Sequence, residues 1–209
     1  MKTTNQIFHF RFLAVLLMAL IIVSCDDEDE DNGVAPPSIE NEVEVITDVS
    51  LIFTPEEGEA IVANAVDSDG EGIGSLQVLD PITLDLDTQY TLTYTILNAL
   101  NPDDIEDIGA EILEEDNEHQ FFYMFSSDVF ASPMGEGNID SPNGVVNYLD
   151  EDENGLDVGL MTSWTTPETP AAGMMFRTRL QHQPDLKSAA TGANDGDTDF
   201  DLTFILNIQ

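Results

Sequence analysis

Period-two alternation constrains this chain more than any other feature. Tyr90, Leu92, Tyr94 and Ile96 alternate with Thr91, Thr93 and Thr95. In an extended segment that sends apolar groups to one face and hydroxyls to the other. Phe200, Leu202, Phe204, Leu206 and Ile208 repeat the pattern at the C-terminal end, and Val49, Leu51 and Phe53 give a third case. Further strands are expected at Glu59–Val66, Ile82–Leu86, His119–Phe125, Val158–Thr165 and Met174–His182. Turn-forming strings separate them: Pro55-Glu56-Glu57-Gly58, Asp69-Gly70, Asp80-Pro81, Asn143-Gly144, Asn154-Gly155 and Asn194-Asp195-Gly196. Half-buried strands with little helix between them predict a mainly β fold, a single antiparallel β-sandwich of immunoglobulin-like or jelly-roll-like form over residues 45–209. One stretch has a different period. After Pro102, the residues Ile105, Ile108, Ile112 and Leu113 recur at helical spacing behind Asp103 and Asp104, so one short helix is expected near 103–116.

Residues 1–24 read as an address rather than as part of the fold. Lys2 and Arg11 precede Leu13–Val23, an unbroken apolar run of eleven residues. A helix needs about 20 residues to cross the ~30 Å of bilayer hydrocarbon, so the run fits a secretion signal instead. It ends Ile22-Val23-Ser24-Cys25, which resembles a bacterial lipobox, and Cys25 is the only cysteine in the chain. We therefore expect lipidation at Cys25 and anchoring in a membrane by several acyl chains. A single cysteine also excludes an internal disulfide and a cysteine-based metal cluster. The acids Asp26-Asp27-Glu28-Asp29-Glu30-Asp31 follow at once. Such a block repels itself, and residues 25–44 read as an acidic tether. The block is also similar to the export signal of Bacteroidetes lipoproteins, which implies an outer-membrane location facing the cell exterior.

The body is acidic in its own right. The chain carries 42 acidic and 5 basic side chains, a net charge of -37, and beyond residue 24 only Arg177, Arg179 and Lys187 are positive. A nucleic-acid partner is excluded, since phosphates require a cationic surface.

Three strings within the body resemble a known family. They are Asp116-Asn117-Glu118-His119-Gln120-Phe121-Phe122-Tyr123, Asp150-Glu151-Asp152-Glu153-Asn154-Gly155-Leu156 and Gln181-His182-Gln183-Pro184-Asp185-Leu186-Lys187-Ser188. Together with the ending Gly192–Thr203 they resemble a flavobacterial surface lipoprotein family commonly labelled "type 1 periplasmic binding fold superfamily protein". That label implies two lobes of parallel strands and many helices. The residues favour the antiparallel sandwich instead, because the strands alternate and the chain is short for two such lobes.

Two groups of residues could hold a ligand. Asp150, Asp152 and Asn154 stand at alternate positions before Gly155, as at the start of a calcium loop, where Leu156 would offer its carbonyl and Asp157 a further carboxylate. The twelfth position is Met161 rather than an acid, so solvated turns are the plainer account of the loop. Asp67, Asp69 and Glu71, and Asp195, Asp197 and Asp199, form weaker versions. The second group is His119 and His182, each in step with the apolar residues of its strand. With Glu118 or Asp185 they could clasp zinc or copper, or hold a haem iron between them; boundary residues satisfied by hydrogen bonds are the alternative. Met161, Met174, Met175, Met124 and Met134 are read as filling. No nucleophile elbow, H-E-x-x-H or phosphate loop is present, and no pair of carboxylates stands out as acid and base. The family resemblance and the expected location, with the anchor, the tether and the two histidines, imply a non-catalytic binding module that captures a metal, haem or small nutrient for a TonB-dependent outer-membrane receptor. A calcium-stabilised adhesion module is the alternative, and a hydrolase on the same scaffold the second. Oligomeric state leaves no trace in the residues.

Overall fold

The computed structural model describes residues 44–67, 69 and 75–209. The expected signal, Cys25 and the tether up to residue 43 lie outside the described residues, as do Gly70 and Glu71. Among the described residues ten strands and one helix follow in order: β1 (Asp48–Pro55), β2 (Ile61–Val66), β3 (Gln77–Val78), β4 (Ile82–Leu84), β5 (Gln89–Asn98), β6 (Glu106–Asp107), α1 (Ile108–Glu114), β7 (His119–Phe125), β8 (Met161–Thr165), β9 (Ala171–His182) and β10 (Asp197–Ile208). Among the described residues no helix is long and apolar enough to cross a membrane.

The strands form a two-sheet β-sandwich. One sheet has the order β3-β2-β1-β5, and β5 is long enough to take β6 at its Leu97–Asn98 end and β8 at its Gln89–Thr93 end. The other has the order β4-β10-β9-β7. Every pairing is antiparallel except β4 with β10, a parallel contact absent from the simple sandwich expected from the pattern. Alternating residues meet between the sheets: Val49, Leu51, Phe53, Tyr90, Leu92 and Ile96 from one, Phe121, Phe125, Phe176, Leu180 and Phe200 from the other. Trp164 stands among Phe125, Phe130, Phe176 and Tyr123 with ring centroids 4.8–5.4 Å apart, and its indole N–H donates to Thr162 Oγ1. Edge-on contacts of this kind add to the area each ring buries. Tyr94 reaches across the core and donates to the Tyr123 hydroxyl at 3.1 Å, while Tyr123 donates to the carbonyl of Gly159.

The helix is shorter than the apolar spacing suggests. Asn101 closes a turn by accepting from the backbone of Asp103 and Asp104, and Glu106-Asp107 then pair with the end of β5. Only at Asp107 is a side chain placed to cap, accepting from Ala110 N at 3.2 Å. Ile108 and Ile112 are buried, whereas Ile105 and Leu113 are exposed. The strand expected from Val158 begins at Met161, because the Asp150 carboxylate takes the N–H groups of Gly159 and Met161. β7 buries Phe122 as well as Phe121 and Tyr123, since Ile139 and Ala193 cover its outer face.

Candidate metal centre

Register brings the two histidines together. β7 and β9 run antiparallel with His119 directly opposite His182, on the core-facing side of both strands. Their rings stack 4.3 Å apart at an interplanar angle of 4°, and the residues are 0 % and 5 % exposed. His119 Nδ1 lies 3.1 Å from the backbone oxygen of Glu115. A carbonyl can only accept, so Nδ1 carries the proton and Nε2 keeps its lone pair.

A bulge supplies the third member. In the β9–β10 ladder Thr198 faces Gln181 and Phe200 faces Leu180, so Asp199 is an extra residue. Bulges re-aim side chains. This one turns Asp199 inward, 4 % exposed, with Oδ2 3.9 Å from His119 Nε2. That separation is too long for a hydrogen bond. Gly196 sets the entry to this segment with φ of +81°, and a Cβ there would collide with the carbonyl of His182. Glu118, just before β7, brings Oε2 to 3.5 Å from His182 Nε2. The carboxylate of Glu115 completes a group with the two histidines in which the ligand atoms lie within 4.8 Å of one another.

The polar atoms here are buried and unmatched. Among the described residues, His119 Nε2, both ring nitrogens of His182 and both carboxyl oxygens of Asp199 have no hydrogen-bond partner. Buried polar groups are almost always partnered, and each exception calls for an explanation. Burial pushes the imidazolium of His119 down to about 4, helped by His182 and Lys187. Burial pushes the Asp199 carboxyl up to about 8, reinforced by Glu44 and Asp197. Glu44 is itself raised, first by burial and then by the charges of Glu111 and Glu115. Near neutral pH two uncharged donors therefore face each other inside a shell of acids.

No protein-family model, curated protein or solved structure matches this chain. What the cluster can do is read from its own atoms. Two imidazoles and nearby carboxylates are ligands for a metal ion. The parallel stack leaves no slot for a porphyrin between the rings, so the geometry favours a bare ion over haem.

The other expected ligands are placed differently. Asp185 occupies the turn after β9 with φ of +59° and does not join the histidine group; Glu115 stands in that group instead, and Asp199 lies beside His119. In the loop between β7 and β8, Asp150 accepts from Gly159 and Met161, while Asp152 Oδ1 accepts from the backbone of Asn154 and Leu156. Asp152 Oδ2 lies 3.1 Å from Lys187 Nζ, the two side chains being 0 % and 1 % exposed. Lys187 also donates to the carbonyl of Asp116. Burial alone would raise the Asp152 carboxyl, but the bonds from Leu156, Lys187 and Asn154 outweigh it and hold it below the usual range. Asn154 is exposed, and Asp157 pairs through its backbone with Glu151. The alternate acids do not converge on one ion: Asp150 is taken up by backbone N–H groups and Asp152 by an ammonium.

Clefts also lie elsewhere among the described residues. One of about 330 Å³ is bounded by Gln120, Tyr148, Asp157 and Thr191; another of about 240 Å³ by Met124, Met175, Glu136 and Asp140. Met124 and Met175 border the second cleft, but Met174 packs on the core and Met161 and Met134 are exposed, so the five methionines do not form one cluster.

Proposed function

We propose that this protein is a non-catalytic binding module of the outer membrane, anchored through Cys25 and facing the cell exterior. It captures a small cargo at the His119–His182 end of the sandwich and passes it to a TonB-dependent receptor. One observation carries the reading. The fold buries two imidazoles and a carboxyl side by side and gives their inward atoms no partner, an arrangement that costs stability unless something binds. The lipobox-like ending at Cys25 and the acidic segment after it support the location. The calcium-stabilised adhesion module fits less well, because Lys187 already neutralises Asp152 in the loop that would hold the ion.

Purification of the full lipoprotein from its native membrane, followed by elemental analysis, an absorption spectrum and mass spectrometry of released small molecules, tests this reading. One cargo per chain is expected, absent when His119 and His182 are both replaced by Ala. A protein that carries nothing in either form would sink it.

A further inference from the structure

Which cargo the site takes follows from its donors, and the inference rests on the capture reading above. We infer that His119, His182, Glu115 and Asp199 form a two-histidine, two-carboxylate site for a divalent transition-metal ion of the zinc type.

Several independent features point there. Zinc is bound through nitrogen at 2.0–2.1 Å, which places tetrahedral donors about 3.4 Å apart. Here the ligand atoms of Glu115, His119 and His182 lie within 4.8 Å of one another, and His119 Nε2 lies 3.9 Å from Asp199 Oδ2. His119 is also set up as metal-binding histidines usually are, with its second nitrogen donating to a backbone carbonyl so that the lone pair points away from it. Glu118, 3.5 Å from His182 Nε2, stands where an outer carboxylate would orient the second ring. Once the arriving ion displaces the Asp199 proton, two carboxylates balance its double charge.

The donor chemistry narrows the class. The chain's only cysteine is Cys25, outside the described residues, and the cleft that contains Met124 and Met175 is bordered by neither histidine. Without sulfur the site does not suit copper(I). Calcium takes six to eight oxygens and has little use for imidazole. A borderline ion such as zinc matches nitrogen and oxygen together.

Asp199 is the element peculiar to this fold. Were β10 regular, the residue would alternate outward; the bulge delivers its carboxyl to the His119 ring, one of the two stacked imidazoles.

The test uses the full lipoprotein in detergent micelles, stripped with chelator and titrated with zinc chloride by calorimetry against a background of about 1 mM calcium, which occupies weak surface acids. One zinc ion per chain is expected. Replacing both histidines by Ala should weaken binding by about 100-fold or more and Asp199→Asn by about 10-fold or more, whereas Asp185→Asn should leave it unchanged. Circular dichroism of each metal-free variant shows whether it folds. X-ray absorption of the zinc-loaded wild type gives a readout that needs no variant, with two imidazoles and oxygen in the first shell. No zinc binding, binding indifferent to Asp199→Asn in a folded variant, or an all-oxygen shell would each overturn the assignment. Should native protein carry a cargo that is not a metal, capture survives and this assignment falls.

Discussion

Asp152 and Asp199 are the same residue type at the same depth, 6 % and 4 % exposed, yet the fold treats their charges in opposite ways. Asp152 is met by two backbone N–H groups and the Lys187 ammonium, and its carboxyl is held below the usual range. Asp199 meets no hydrogen-bond donor, and burial drives it up to about 8. The first is a latch that ties the β7–β8 loop to the segment after β9. The second is a reserved position. Acidity is thus not one property of this chain: where a cation is built in, the acid stabilises the fold, and where none is, the acid waits for one.

The largest effect expected from this contrast is on the latch. Lys187→Met would leave the Asp152 carboxylate buried and uncompensated, at a cost of about 3–5 kcal/mol in urea unfolding. Asp199→Asn, measured on metal-free protein in the same way near pH 7, should cost nothing and should raise stability, because burying Asp199 there requires the carboxylate of the unfolded chain to take up a proton and Asn needs none. Equal losses in the two variants would break the comparison and mean that Asp199 has a native donor.

Next in size is the response to ions. Zinc at 100 times its dissociation constant should stabilise the wild type by about 2.7 kcal/mol, seen as a raised melting temperature that the double histidine variant lacks. Calcium at about 1 mM should leave the melting temperature unchanged, since the β7–β8 loop already holds its cation. A calcium-induced rise that disappears with Asp157→Asn would transfer the functional role to that loop and favour the adhesion reading.

The same contrast explains how much was legible in the residues. Strands such as β1, β5 and β10 were readable because each buries one face, and the period-two rule holds wherever that is so. The placement of His119 and His182 on inward faces was readable for the same reason. That they sit opposite one another was not, because register between β7 and β9 is set by contacts distant in sequence. Asp199 was hidden by its own alternation: in the run Asp197, Asp199, Asp201 it reads as part of a wet face, and only the bulge reverses it. Glu115 stands four residues before His119, a spacing that becomes meaningful once α1 is known to end at Glu114. At Asp150 and Asp152 the spacing suggested one shared ion, but the two carboxylates have separate partners, and the cation at Asp152 is Lys187, far along the chain. Local pattern identifies faces; partners are decided by topology.

The smallest expected effect concerns acid. A carboxyl lowered by folding binds fewer protons in the native than in the unfolded state, so its contribution is present above the unfolded pKa of about 3.9 and is lost as pH falls through the lower native value. Asp152 is such a group, and the part of its lowering that depends on Lys187 vanishes in Lys187→Met. The stability gap between wild type and that variant should therefore be widest at pH 5 and narrow steadily toward pH 2, read from urea midpoints across the range. A gap that stays constant would show that Lys187 stabilises the loop by packing its stem and by its bond to Asp116 rather than through the charge of Asp152. In that case the latch would be as indifferent to charge as any apolar contact, and of the two acids compared only Asp199 would be left as one whose ionisation the fold has to reckon with.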